Sequence, residues 1–334
     1  MNIKSSKNIL LAVLGLIIIV GFIAWQNKKP SEMPTVRLGI VNQPFVALAK
    51  VAIDEGYFKK EGINVEVSEF TAGKLALQAL LGGSLDLITS GEVPITLATL
   101  NGEKLFVIGE ISQDSFPMIL RKEGETTFDP QKYFAKKRKI ATSIGGGPEF
   151  FTANFFKKYN IGSSQYEIIS MQPQDMPIAL ANSSVDGIAI FEPFTSLALQ
   201  KIGVDKVFVI DGTDLYSEIA IISGKQSYVS QNQKTIERFL SALQKSEDFV
   251  KRNPDQTIKI MSEFTKLDPN TLKNIWPSFI LHLGLSQNLI STMTNEAQWA
   301  KDVGKVKPET IIPNFRNVIF DTPLQKISPS AVQL

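Results

Sequence analysis

The chain has 334 residues, with 35 Lys and Arg against 33 Asp and Glu, a formal net charge of +2. That balance offers no basic face of the kind a nucleic-acid binder needs. There is no cysteine and only one histidine, which removes disulfides, thiolate nucleophiles, cysteine-ligated zinc and iron–sulfur clusters, and leaves too few imidazoles for a histidine-rich metal site; no cofactor is expected.

The first element is an uninterrupted apolar run from Ile9 to Trp25, preceded by Lys4 and Lys7 and ended by Gln26-Asn27-Lys28-Lys29-Pro30. A signal-peptide core takes roughly 7–15 apolar residues and a membrane-spanning helix roughly 17–25, so the run sits at the border. No small-x-small cleavage site follows it. Residues 1–26 are therefore expected to be an uncleaved anchor that crosses the membrane through residues 9–25, with a cleaved signal and a secreted body as the alternative. Residues 27–35 read as a polar linker. The positive flank places the N-terminus in the cytoplasm and the rest outside it.

From Val36 onward short apolar runs alternate with helical patterns. Strands are expected at 36–41, 63–70, 85–90 and 105–111, with helices at 45–55, 74–81 and 92–100 between them. Leu75, Ala76, Ala79 and Leu80 share one helix face. Such alternation predicts a parallel sheet covered by helices. A second set repeats it: strands at 139–143, 166–171, 185–191 and 206–210, helices at 148–159, 174–181 and 193–201. Beyond 219–223 the pattern becomes mostly helical. His282 lies there in the apolar stretch Ile280-Leu281-His282-Leu283, which predicts a packing role.

The two sets echo each other. Ala79, Leu80, Ser84, Asp86, Ile88 and Glu92 recur as Ala179, Leu180, Ser184, Asp186, Ile188 and Glu192, each at an equivalent point of a helix–turn–strand–helix unit. The expected architecture is α/β with two similar lobes. Extended runs at 116–122 and 219–223 read as two crossings between them, a hinge. One lobe then holds residues 35–115 and 220–334, and the other 116–219.

In open α/β sheets ligands sit beyond the carboxyl ends of the strands. The strand-to-helix turns there are Asn42-Gln43-Pro44, Thr71-Ala72-Gly73, Ser90-Gly91-Glu92, Ile144-Gly145-Gly146-Gly147 and Phe191-Glu192-Pro193. Each opens a helix whose first N–H groups lack partners and favour an acceptor. Glycine, serine and proline also mark helix starts in any such protein, so one turn alone says little; five converging on one cleft say more. Gly145–Gly147 lacks the spacing of a dinucleotide fingerprint, and there is no Walker A motif. No lysine or arginine lies in these turns, so neutral donors and helix dipoles are expected to hold any anionic end. Glu92, Glu149 and Glu192 stand at helix starts, where a carboxylate is favourable by itself; the functional alternative is that they accept hydrogen bonds from a ligand N–H. Asp86 and Asp186 are expected to stabilise turns.

The run Ala47-Leu48-Ala49-Lys50, Glu55-Gly56-Tyr57-Phe58-Lys59-Lys60-Glu61-Gly62-Ile63, Phe70-Thr71-Ala72-Gly73, Ala79 to Asp86 and Gly91-Glu92-Val93-Pro94 resembles the aliphatic-sulfonate, taurine and nitrate binding proteins and the related thiamine-pyrimidine-precursor binders. Lys139-Ile140-Ala141, Val185-Asp186-Gly187 and Phe191-Glu192-Pro193-Phe194 extend the likeness through the second lobe, to about Ser223. The resemblance implies a type 2 periplasmic-binding-protein fold with a hinge and no catalysis. It implies that Asn42, Thr71, Ser90, Glu92, Gly146 and Glu192 face the ligand. The expected function is that of the extracytoplasmic substrate-binding protein of an ABC importer, a monomer that delivers a sulfonate-like, zwitterionic or nitrogen-heterocyclic solute to a permease and its ATPase. A membrane-anchored sensing lobe is the alternative. A pyrimidine-synthase-like enzyme fits poorly, because the related enzymes use cysteine and histidine.

Overall fold

A computed structural model describes residues 33–334; the expected anchor at 1–26 lies outside them. Among the described residues no helix is long and apolar enough to cross a membrane. Strands are β1 (Thr35–Val41), β2 (Asn64–Phe70), β3 (Leu87–Gly91), β4 (Leu105–Asp114), β5 (Met118–Arg121), β6 (Arg138–Thr142), β7 (Tyr166–Ser170), β8 (Gly187–Ala189), β9 (Val207–Ile210), β10 (Glu218–Lys225), β11 (Ile280–Ser286) and β12 (Val332–Gln333). They form a seven-stranded sheet, β12-β11-β4-β10-β3-β1-β2, and a five-stranded sheet, β7-β6-β8-β5-β9.

Each sheet has its own core. Leu38, Ile40, Leu48, Leu80 and Phe239 are fully buried in the larger lobe; Phe134, Phe151 and Phe155 fill the smaller. β1 is buried on both faces except at its start, as a strand covered by helices on both sides must be. The chain passes between the sheets twice, from β4 to β5 and from β9 to β10. This is the expected two-lobed α/β architecture with a two-crossing hinge.

The sheets are not parallel throughout, as strand–helix alternation predicted. β1 runs parallel to β2 and β3, and β6 to β7 and β8. β10 lies antiparallel to β3 and β4, β11 antiparallel to β4, and β5 antiparallel to β8 and β9. The strands that carry the crossings cause this. A chain that leaves one sheet and later returns to it enters in the opposite sense, without the helical crossover a parallel pair needs. The tail is mostly helical, as its pattern predicted, and also holds β11 and β12. His282 lies in β11 with Nε2 3.6 Å from Glu110 Oε2. The Glu110 carboxylate beside it raises its pKa against the opposing effect of burial.

The internal repeat has a physical basis. Asp86 N–H donates to Arg37 O at 2.8 Å while Asp86 Oδ2 accepts from Arg37 N–H at 2.8 Å. Asp186 N–H donates to Lys139 O at 2.8 Å while Asp186 Oδ2 accepts from Lys139 N–H at 2.7 Å. Each aspartate closes the entry to a central parallel strand, and each gains an arginine, Arg37 or Arg138. Asp86→Ala and Asp186→Ala are each expected to destabilise the fold by about 1–3 kcal/mol, the cost of an orphaned backbone N–H and a lost charged acceptor. Urea unfolding at pH 7 measures it; a midpoint equal to that of the native chain would show the motif to be dispensable.

Candidate functional site

The gap between the lobes lies where helix N-termini from both sides meet. Gln43 and Phe45 reach it from the turn after β1. Ala72, Gly73 and Lys74 come from the start of the helix Gly73–Leu81, and Gly91 and Pro94 from the start of Glu92–Leu100. The smaller lobe supplies Ser143, Gly146, Gly147, Pro148 and Phe191, and β10 supplies Glu218. The lobes are drawn close together here, and the gap leaves a cavity of about 20 Å³, room for about one water, so a solute enters only when the lobes part.

Glycines let the walls approach. A Cβ on Gly73 would stand 2.7 Å from Ser90 Cβ; one on Gly91 would stand 2.7 Å from Glu218 Cδ, and one on Gly147 2.9 Å from the same atom. Gly91 and Gly147 thus grip the Glu218 carboxylate between two helix N-termini, one from each lobe. Other contacts tie the lobes together. Lys74 Nζ donates to Ile144 O at 3.0 Å, Lys305 Nζ pairs with Glu149 Oε1 at 2.6 Å, and Phe150 packs edge-on against Trp299 with centroids 5.2 Å apart.

Of the residues expected at the site, Gln43, Gly73, Gly91, Gly146, Gly147 and Phe191 line the gap. The others are placed differently. Asn42 Nδ2 donates to Phe264 O at 3.0 Å, Thr71 is exposed, and Ser90 is buried behind Gly73 with its hydroxyl unpartnered. Gly145, at φ +83°, donates its N–H to Glu149 Oε2 at 2.8 Å. Glu149 therefore closes its own helix start and salt-bridges Lys305. Glu192 accepts from Ser196 N–H and Oγ, both at 3.0 Å, a helix-start role; burial raises its pKa against those two hydrogen bonds.

Glu92 lies beneath the gap floor, fully buried. It accepts from Tyr216 Oη at 2.6 Å and from Ile219 N–H at 3.0 Å. Glu296, also fully buried, accepts from Thr96 Oγ1 at 2.7 Å and lies 3.5 Å from Tyr216 Oη. Asp114 and Glu218 face each other across β4 and β10. Four carboxyl groups thus crowd the hinge. Burial pushes Glu92 up to about 7 against the pull of Tyr216. Burial, with the charges of Glu92 and Glu192, pushes Asp114 up to about 8. Burial and their acidic neighbours hold Glu218 and Glu296 well above the usual carboxylate range.

The sequence reading missed Phe45, Pro94 and Ser143, which carry no local signal, and two charged lining residues, Lys74 and Glu218. Lys74 overturns the expectation that no cation reaches the turns. It occupies the first turn of its helix, where a positive charge is unfavourable, and that misplacement was the signal available in the sequence. Partial burial lowers the pKa of its ammonium, countered by the charge of Glu149. Glu218 sits at the start of a strand, and only strand ends were searched. Because β10 runs antiparallel, Ala220 pairs with Gly91 and Glu218 with Asp114, so its first residue is level with the carboxyl ends of β3 and β4.

Two α/β lobes, two crossings and a gap at the sheet ends define the class: a two-lobed solute-capture fold. The chain belongs to the family described as NMT1/THI5 like, whose profile matches residues 43–257. It is similar to a candidate aliphatic sulfonates-binding protein of Bacillus subtilis, 26% identical over 250 residues, 73% of this chain and 74% of that protein. It is similar too to the taurine-binding periplasmic protein of Escherichia coli, 26% identical over 202 residues, 60% of this chain and 58% of that protein. The crystal structure of the periplasmic aliphatic sulphonate binding protein of Escherichia coli superposes with a TM-score of 0.71 at 21% identity, over 86% of this chain and 97% of that one.

Proposed function

We propose that this chain is the extracytoplasmic solute-binding subunit of an ABC importer. In this reading it captures a small organic molecule in the gap between its lobes and hands it to a membrane permease driven by an ATPase. The observation that carries the reading is the meeting of three helix starts, at Gly73, Glu92 and Gly147, in one interlobe gap, within a family whose relatives are named as sulfonate- and taurine-binding proteins. The moving lobe is residues 116–217, two residues shorter than the sequence suggested, because Glu218 already pairs with Asp114 in the larger sheet. The role is capture and release without turnover, by a monomer held at the membrane through residues 9–25.

Native mass spectrometry of the full-length protein is expected to show a non-covalent small-molecule adduct. Solution scattering is expected to show a smaller radius of gyration at saturation, as hinge closure requires. Chemical conversion of the bound solute, or a radius indifferent to it, would count against capture by closure.

A further inference from the structure

We propose, resting on the capture reading above, that the solute presents a protonated amine or amidine to the carboxylate of Glu218, and that this contact excludes solutes whose only polar group is an anion. Glu218 is 4% exposed, lines the gap, and accepts no hydrogen bond and forms no salt bridge among the described residues. Ionising a buried carboxyl that has no donor is costly, and burial with the neighbouring acids holds this one above the usual carboxylate range; a cationic donor placed against it would favour its charged form. Its position is nevertheless strictly held, since a Cβ on either Gly91 or Gly147 would collide with it. The carboxyl group stands where two helix N-termini would otherwise receive an anion from outside, so that place is already taken by the chain's own acid.

The surroundings point the same way. Gln43, 2% exposed, leaves its Oε1 without a partner on the same gap wall, and Asp114, facing Glu218 across the strand pair, leaves Oδ1 unpartnered. Glu218, Gln43 Oε1 and Asp114 Oδ1 thus all lack donors. The charged groups around the gap are Lys74, Glu92, Asp114, Glu149, Glu192 and Glu218. Lys74 donates to Ile144 O, and Glu149 and Glu192 are held by Lys305 and Ser196. Among the described residues no cation pairs with Glu92, Asp114 or Glu218, and burial holds all three above the usual carboxylate range; an incoming anion brings them no counter-ion, whereas an ammonium or amidinium favours their ionised form and supplies the missing N–H donors.

The test is calorimetric titration of the full-length protein and of Glu218→Gln with matched pairs: 2-aminoethanesulfonate against ethanesulfonate, benzamidine against benzoate, and nitrate alone. Binding is expected only for amine- or amidine-bearing probes, weakened about 30-fold or more in Glu218→Gln, as when one partner of a buried charge pair is removed. The ligand-free variant is expected to melt no lower than the native protein, because Glu218 makes no hydrogen bond that the change would break. Equal binding of ethanesulfonate or nitrate by both proteins overturns the inference and leaves the capture reading standing. If every probe fails, the solute that co-purifies with the native protein decides, a basic nitrogen in its composition supporting the inference and the lack of one overturning it. No bound solute of any kind counts against both readings.

Discussion

Gly147→Ala is expected to reduce solute binding by about 100-fold or more while leaving both lobes folded. Gly147 is the first residue of its helix, and a left-handed backbone is not the reason glycine stands there, since alanine is a better helix former. The reason is space. A Cβ would lie 2.9 Å from Glu218 Cδ and 3.2 Å from Tyr216 Cε1, distances that force a neighbour to move. Glu218 is confined on its other side by Gly91, and Tyr216 is fixed by its hydrogen bond to Glu92. The cheapest relief is to separate the lobes, which breaks the Lys74–Ile144 and Lys305–Glu149 contacts and opens the gap. The variant is expected to keep the native circular dichroism and to show a larger radius of gyration that no longer responds to solute. Gly162→Ala serves as the control: the space there is ordinary, 3.5 Å from Gln165 Oε1, and it lies far from the gap in sequence and function. Native affinity in Gly147→Ala would show that the lobes do not close on Glu218 when solute is bound.

The second large effect concerns pH. The ligand-free protein is expected to lose stability between pH 5.5 and pH 8.5, by about 10 °C in melting temperature, given ~1.4 kcal/mol per unit of pKa shift and about 2 °C per kcal/mol in a chain of this size. The sign follows from linkage. In the unfolded chain Glu92 and Asp114 ionise in the ordinary carboxylate range; in the folded protein burial holds them to about 7 and about 8. Groups whose pKa is raised on folding stabilise the fold fully below their unfolded values, and that contribution is lost as pH rises through the folded values. His282, raised by Glu110, acts in the same direction. Glu123, held down to about 2 by Arg138 and then Lys136, loses its contribution only in much stronger acid and does not enter this window. Glu92→Gln is expected to flatten the slope, because it leaves no charge to bury: the amide oxygen can still accept from Ile219 N–H, and the amide NH2 can donate to the Tyr216 hydroxyl oxygen, whose O–H can turn to Glu296. Calorimetric melting across the pH range, in buffers of matched ionisation enthalpy, reads the effect; a melting temperature that rises with pH would mean that the hinge carboxyls ionise freely in the folded state.

The elements that repeat were legible because their signals are local. Asp86 and Asp186 stood at matched places in two helix–turn–strand units, and the structure shows both closing a strand entry through the same pair of hydrogen bonds. The helix Glu92–Leu100 has the bounds its pattern implied. The glycine-bearing turns at Gly73, Gly91 and Gly146–Gly147 were found from the rule that open sheets bind ligands at their carboxyl ends, and these do line the gap. The three helix-start glutamates were the harder case. Whether such a carboxylate closes its own helix, as Glu149 and Glu192 do, or sinks beneath the floor, as Glu92 does, depends on neighbours far away in the chain.

The sequence by itself determined the two-lobed plan, the order of strands and helices up to β10, and the end of the sheets at which the gap forms, since periodicity and turn residues act over a few residues at a time, whereas strand direction depends on which strands pair. Only the tertiary structure decided which polar groups meet there. Glu218 lies 127 residues from Gly91 and 71 from Gly147, and it reaches the gap because an antiparallel strand brings its first residue level with the last residues of β3 and β4. Lys74 meets Ile144, and Lys305 meets Glu149, only when the lobes come together. Charge and hydrogen-bond partnership are pairwise properties of space, and neither residue of such a pair carries the other in its local pattern.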